Sequence, residues 1–531
     1  MAASDTVDAV VIGAGHHGLV AASMLADAGW DVLVLEAQQE PGGAVRSAEL
    51  TPGYITDLFS SFYPMTVASP AIAALHLEDH GLRWSHAPAV VGHPLNGADE
   101  DPPVIYHDPA RTAAEFARRQ PADGDNWHRA VELWDKIKAP LMKALLAPFP
   151  PMLPLAQLLA KVGTAEAIRL ANLLVQPANT MADRLFDGEA PKTMLLGNAL
   201  HADIPLDAPG SGVMGFLMCM LAQDTGWPVP VGGSGQLTAA LVSRATSAGA
   251  RIEYGQNVSR IQVRGGRAVG VNTDGGRAVT ARRAVIADVT APQLFCDMLP
   301  ADALPSSLLD DLRHYVWDPP VVKVNYALDG LVPWRAKTLH GVGTVHLGAD
   351  GHGLVRWMAD INTRVVPQRP FMLLGQTTTA DPTRSPEGTE SVWAYTHLPR
   401  NVYDDDSAEQ LAKAMDDVIE DHAPGFGARV RHRFVQRPSD LEASDANLHM
   451  GALNGGSAQL QQMLIFRPAP GMGRPETPVE RLYLGSASAT PGGSVHGACG
   501  RNAANAALAA DGWSGWPRRQ ANRVVRSLLT T

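Results

Sequence analysis

The first apolar run, Val7-Asp-Ala-Val-Val-Ile12, is rich in β-branched residues and predicts a strand buried on both faces. It breaks at Gly13-Ala-Gly15-His16-His17-Gly18. A helical pattern follows, with Leu19, Ala22, Leu25 and Ala26 on one face and Gly29 as its stop. A second apolar strand, Trp30-Asp-Val-Leu-Val-Leu35, ends at Glu36. Residues 66–224 predict a mainly helical segment rich in Pro, Leu and Ala. A second α/β pattern begins at Val231-Gly-Gly-Ser-Gly-Gln-Leu237, with a helix ending near Gly249 and strands around 251–254, 257–263, 268–271 and 284–287. Strands and helices mix over about 300–470. A short strand, Arg481-Leu-Tyr-Leu-Gly485, then runs into a Gly-rich turn and an Ala-rich helix over 502–510.

The 531 residues, 45% of them hydrophobic and 18% charged, form an ordinary packed protein of several domains and exclude a disordered chain. A net charge of −11 offers no basic face for phosphate neutralisation, so no nucleic-acid partner is expected. Three scattered cysteines, with no CxxC pair, supply neither a redox dithiol nor a zinc knuckle, and no metal site is expected. The N-terminus has no secretory pattern and no segment is apolar enough to span a bilayer. A cytoplasmic location follows, with a peripheral membrane contact left open.

The glycine motif carries the first chemistry. It stands after a strand, before a helix and ahead of an acidic residue closing the next strand, the context of a dinucleotide site. Gly13 permits the tight turn, Ala14 and Gly15 bring backbone to a diphosphate, and Gly18 lets helix and strand pack closely. The helix start offers N–H groups to the diphosphate. His16 and His17 flank the phosphate loop, and Glu36 can accept the ribose hydroxyl protons. Two features select FAD over NAD. Gly42-Gly43-Ala-Val-Arg46 places a glycine doublet and a guanidinium beside the cofactor. Far along the chain, Gly485-Ser486-Ala-Ser-Ala-Thr-Pro-Gly-Gly493-Ser-Val495-His496-Gly497 opens a second helix start, suited to the ribityl chain or the flavin N1/O2 edge.

These motifs resemble the two-dinucleotide-binding-domain flavoproteins. Within them they resemble the phytoene desaturase and carotenoid isomerase family, nearest the group called pyridine nucleotide-disulfide oxidoreductase domain-containing protein 2. Relatives often carry Asn at the position of His17 and Asp at that of Ser486. The resemblance implies an α/β protein with a discontinuous Rossmann-like FAD-binding domain (1–65, 225–300 and 475–531). It also implies an inserted α+β substrate domain (66–224 and 301–474). Further implications are non-covalent FAD and an adenosine contact from the backbone of Val258. With no CxxC and no second GxGxxG, tightly held NAD(P)H is not expected.

Flavin chemistry needs positioning more than a strong base. His496 is the candidate donor to the flavin edge, with a helix cap as its alternative. His201, in the polar cluster His201-Ala-Asp203, is the second candidate. Asp57, Ser60 and Ser61 can line the flavin's far end. The uncharged, Pro-broken span 144–160 suggests a lid, a channel, a shallow membrane contact or a buried connector. The tail from Trp513 to Leu529 is basic with aromatics and suits a membrane or partner surface. The expected protein is an FAD-dependent oxidoreductase of desaturase, dehydrogenase or isomerase type, moving hydride between flavin N5 and an apolar substrate. O2, a quinone or another acceptor completes the cycle, and the oligomeric state is open. The alternatives are an amine-oxidase-like enzyme, using Tyr63, Trp357 and Tyr395 as an aromatic cage, and a non-catalytic flavin-binding regulator.

Overall fold

The computed structural model describes residues 5–512 together with Gly515 and Gln520. The basic, aromatic tail singled out above therefore lies almost wholly outside the described residues. The predicted β-turn-α-β start is present as strand Asp5–Ile12, helix His16–Asp27 and strand Val32–Leu35. Residues 7–11 of the first strand are shielded from solvent on both faces, which is why an unbroken apolar run suits it. Five strands lie parallel in the order Arg251–Glu253, Val32–Leu35, Asp5–Ile12, Ala278–Ala287 and Leu482–Leu484. The antiparallel pair Val258–Arg264 and Arg267–Thr273 joins the first half of Ala278–Ala287.

Helices His16–Asp27, Gly235–Ser247 and Ala498–Ala510 bury one face of this sheet, while the antiparallel pair and the chain after it cover the other. The Gly-rich turns after Ile12 and Leu484 therefore emerge at the same edge, the carboxyl ends of parallel strands, where ligands bind in open α/β sheets. The last helix starts at Ala498, earlier than its alanine pattern suggested, because Gly497 turns the chain in a left-handed conformation (φ 66°) just before it.

A second, seven-stranded sheet runs Val430–Gln436, Val321–Leu328, Glu390–His397, Met372–Gln376, Val342–Leu347, Ala89–Gly92 and Val104–Ile105. All neighbours are antiparallel except Val342–Leu347 with Ala89–Gly92. Helix Asp405–His422 packs on one face and the helices of residues 109–224 on the other. The segment read as mainly helical thus carries strands between its first short helices and the long ones, since two-to-four-residue runs such as Ala89–Gly92 are too short to show a period.

The two sheets meet at a buried polar cluster. Asp57 closes hairpin Ser47–Asp57, and its Oδ1 pairs with Arg384 Nη2 at 2.7 Å with both side chains fully shielded. Burial opposes the Asp57 charge, but the Arg384 guanidinium wins and holds the carboxyl below its usual range. Ser61 and the Ser234 backbone N–H also donate to Asp57, so this carboxylate anchors the junction rather than lining a flavin pocket. Ser60 likewise is engaged, donating to Ala44 O at 2.8 Å.

Candidate flavin site

At the carboxyl edge of the parallel sheet lies a cleft open to solvent, about 1090 Å³ with the solvent at its mouth included. It gathers Gly13, Gly15, His17, Glu36, Gly43, Arg46, Val258 and Ser486 from four distant stretches of chain. Gly13 has φ 95°, a conformation open to glycine, and a Cβ at Gly18 would sit 2.2 Å from Gly13 O. Ala14 lies beneath the loop, its N–H donating to Glu36 Oε2 at 2.7 Å. Glu36 Oε1 accepts from Gln38 N, which fixes the carboxylate at the cleft wall. The backbone of Gln256 donates to Glu36 O, bringing Val258 beside the same wall. Gly42 stands behind the cleft: its N–H donates to Ala14 O at 2.9 Å, tying the glycine doublet to the phosphate loop.

Arg46 faces the cleft differently from expectation. Its Nε donates to Gly43 O and its Nη2 to Ser444 O at 2.9 Å, so two donors pin its turn to the 444–448 loop. Only the remaining donors are free for a phosphate.

Asp288 was missed by sequence reasoning. It follows strand Ala278–Ala287, and its Oδ2 accepts from Gly18 N at 2.8 Å, a carboxyl group at the start of the phosphate-loop helix. Burial pushes this carboxyl up to about 8, with Asp445 and Glu36 adding to the effect. The cleft thus already selects an oxygen acceptor at the spot where the fingerprint expects a diphosphate. The His17 ring and Nε2 of His16 are buried beside the cleft, the His17 ring against the Gly497 backbone. Burial keeps both rings neutral, so each offers a single N–H donor to a group with acceptor oxygens.

The Asp288 geometry carries a prediction. Below its pKa the protonated carboxyl tolerates a neighbouring diphosphate; above it the two anions repel. FAD affinity is expected to fall about tenfold between about pH 7 and about pH 9, and to stay flat in Asp288→Asn. Flavin fluorescence titration of apoprotein at both pH values reads this, and parallel pH curves for the two proteins would discard it.

The C-terminal motif departs from its predicted role at Gly493, Val495 and His496. Gly485 N donates to Ala287 O and Ser486 lines the cleft, whereas Gly493 is pressed against Asn454, whose Oδ1 lies 2.7 Å from where a Cβ would stand. Val495 O accepts from Thr66 Oγ1, tying the turn to helix Pro64–Val67. His496 is 2% exposed, and its Nδ1 accepts from Ala498 N at 3.0 Å, capping the last helix. Burial lowers it to about 3, so the ring is neutral at physiological pH. It does not line the cleft, and the role of donor to the flavin edge gives way to the cap. His201 also lies away from the cleft, its Nε2 3.0 Å from His346 Nε2.

Lys323 is a second residue missed in the sequence. It is 4% exposed, and its Nζ donates to Asp57 O and Phe59 O. Burial lowers this amine to about 7 against the pull of Asp57. A lone lysine in a strand gives no sequence signal of this kind, because the shift comes from what folds around it. Of the proposed cage, Tyr395 and Trp357 both pack on His397, while Tyr63 packs on Trp84. The three rings do not form one cage.

Residues 18–508 match the family described as flavin-containing amine oxidoreductase, and the chain belongs to that family. It is therefore an FAD-dependent oxidoreductase, with FAD bound non-covalently. It is 30% identical to the pyridine nucleotide-disulfide oxidoreductase domain-containing protein 2 of Rattus norvegicus, over 94% of this chain and 92% of that protein. One of the limonene dehydrogenase chains of Castellaniella defragrans is 24% identical over 94% of this chain and 93% of its own. Among solved structures, putrescine oxidase bound to putrescine matches with a TM-score of 0.60 and 16% identity, covering 95% of this chain and 99% of that one. That last likeness is one of fold.

Proposed function

We propose that the protein dehydrogenates an apolar, unsaturated or alicyclic small molecule by hydride transfer to FAD, with O2 or a quinone as the final acceptor. FAD bound in the cleft supplies the two-electron acceptor. The phosphate loop, Glu36 and Val258 hold its adenosine diphosphate half, and Ser486 together with the turn after it approaches the other half. Gly493, Val495 and His496 act one layer further out, shaping and capping that turn. Lys323, an amine near neutrality at the junction of the two sheets, can hold or release a proton at working pH.

The observation that carries the apolar substrate is an exposed apolar face. Met152 and Leu153 on helix Met152–Val162 are 70% and 69% exposed, and Ile168 on helix Thr164–Leu174 is 67% exposed. Leu464, Ile465 and Phe466 are exposed too, and Gly473 packs between Ile465 and Phe149 at the root of the first helix. The Pro-broken span is therefore no buried connector. A face of this kind suits shallow contact with a lipid surface from which an apolar molecule is drawn. No helix among the described residues is long and apolar enough to cross a membrane. The likeness to the limonene dehydrogenase chain over nearly the full length supports the same substrate class.

The test is anaerobic bleaching of the bound flavin. Monocyclic hydrocarbons and polyenes offered in lipid vesicles are expected to bleach the wild type, and to bleach Leu153→Glu/Leu159→Glu at least several-fold more slowly. Return of colour on admitting air marks O2 as acceptor; return only with a quinone marks a dehydrogenase. Bleaching by aliphatic amines and not by hydrocarbons would replace this reading with amine oxidation, the reaction class for which the aromatic pair at His397 speaks.

A further inference from the structure

A row of buried imidazoles crosses the second domain away from the flavin cleft. His93 follows strand Ala89–Gly92, His346 lies in strand Val342–Leu347, and His201 sits in the turn Leu200–Ala202. His93 and His346 are wholly shielded from solvent. His93 Nε2 is 2.8 Å from Ala349 O, His93 Nδ1 is 3.3 Å from His346 Nδ1, and His346 Nε2 is 3.0 Å from His201 Nε2. The walls are apolar: Phe371 packs on His93 and His346, and Trp227 on His201. Gly197 closes the row, since a Cβ there would lie 2.6 Å from the Nδ1 atoms of both His346 and His93.

The contacts dictate the tautomers. A carbonyl only accepts, so His93 Nε2 carries a hydrogen and its Nδ1 a lone pair. His346 must then donate from Nδ1 and accept at Nε2, and His201 must donate from Nε2. Every ring nitrogen of the row is used except His201 Nδ1, which is left with a free lone pair. Burial lowers His93 and His201 to about 4 and His346 further still, so all three rings rest neutral. An apolar core gains nothing from three such rings that three hydrophobic side chains would not give more cheaply. Their order and polarity are those of a proton wire.

Each end meets charge. Beside His201, Asp203 lies 2.8 Å from His397 Nε2 and accepts from Asn454 Nδ2 at 2.7 Å. Burial opposes a charge on His397, but Asp203 raises its pKa, while Asp318, 3% exposed, receives the Leu453 and Asn454 N–H groups. Leu453 and Gly455 line the flavin cleft and Asn454 presses on Gly493, so this end abuts the cofactor loops. At the other end, Asp350 and Asp99 favour a positive charge on His93 while His422 opposes it. Asp350 is exposed, next to the carbonyl that His93 holds.

We infer that His201, His346 and His93 relay protons out of the flavin pocket to the turn at residues 348–350, an inference that rests on the flavoenzyme reading above. A proton released when a substrate gives hydride to FAD reaches His201 Nδ1 by way of Asp203, the carboxylate that joins Asn454 of the cofactor loops to this end of the row. His201 passes its Nε2 hydrogen to His346 Nε2, and His346 passes its Nδ1 hydrogen to His93 Nδ1. His93, now cationic, gives its Nε2 proton up at Ala349 O, where the exposed turn at Asp350 passes it to water. No electrons move along the row, one proton enters for each that leaves, and each ring, left in its other tautomer, turns over before the next proton follows.

The test needs no substrate. The holoenzyme is reduced by light, then mixed with ferricyanide, which takes one electron per molecule and no proton. Flavin re-oxidation is followed by absorbance and proton release by a pH-indicator dye. In wild type the two are expected to coincide. In His346→Gln, and in His93→Gln, which keeps the bond to Ala349 O, proton release is expected to lag at least about tenfold. FAD content and the electron step should be unchanged, a split that a merely structural defect does not produce. If His346→Gln fails to fold, His93→Gln alone decides. Coincident traces in the folded variants overturn the relay and leave the flavoenzyme reading intact; purified protein without flavin overturns both.

Discussion

A Gly15→Val variant is expected to fold and to purify without FAD. Gly15 has ordinary backbone angles (φ −68°, ψ 170°), so a side chain there is no strain in itself. A Cβ would meet Asp288 Oδ2 at 2.7 Å, the end of a side chain that can rotate away. The diphosphate has no such freedom: it must reach the start of helix His16–Asp27 across the ground the valine occupies. The effect is therefore on the ligand and not on the fold. Gly18→Ala makes the contrast, because its Cβ would stand 2.2 Å from the Gly13 carbonyl and damage the loop itself. Glu36→Ala should keep some FAD, since a charged hydrogen bond is worth about 1.5–3 kcal/mol. Flavin absorbance per protein, beside circular dichroism for the fold, checks all three. A yellow Gly15→Val with full FAD content would refute the phosphate loop as the cofactor's anchor.

That part of the site was legible because its logic is local. The turn at Gly13, the approach at Gly15 and the acceptor at Glu36 lie within one strand-helix-strand unit, whose hydrophobic pattern places them without knowledge of the rest. The distant turn at residues 485–497 was legible only as a second glycine-dense helix start. Its details were not, because they depend on partners: Gly493 faces Asn454, and His496 turns its ring onto its own helix. Asp288 gave no signal, being one aspartate after one strand, yet the parallel pairing of that strand with Asp5–Ile12 sets its carboxylate on the phosphate loop. The histidine row is the extreme case. His93, His201 and His346 come from three separate segments, none with a motif, and the β pairing of residues 89–92 with 342–345 is what aligns the first with the last. Asp57 and Ser61 were misread for the same reason, since Arg384, which claims Asp57, belongs to the other sheet's loops, and Ser61 is bound in turn to Asp57.

Breaking that junction should have the largest effect on stability. Arg384→Leu leaves the Asp57 carboxylate buried without its guanidinium, and removing one partner of a buried pair costs about 3–5 kcal/mol. The exposed pair Arg313–Asp310, with side chains 74% and 63% accessible, serves as the control, where Arg313→Leu should cost about 0–1 kcal/mol. Lys323 makes the loss depend on pH. In the wild type its amine is depressed to about 7, partly by Arg384, so the unfolded chain binds more protons above that pH and stability rises as pH increases toward the ordinary lysine range. Without Arg384 the amine rises, and a protonated Lys323 can partly stand in as the partner of Asp57. That gain with pH then shrinks, and the gap between wild type and variant should widen from about pH 7 to about pH 9. Asp57→Asn added to Arg384→Leu should recover part of the loss, because no charge is then left unpaired. Thermal midpoints of the four proteins at the two pH values decide the matter. A drop for Arg384→Leu no larger than that of Arg313→Leu would mean that the two sheets are held together by packing alone.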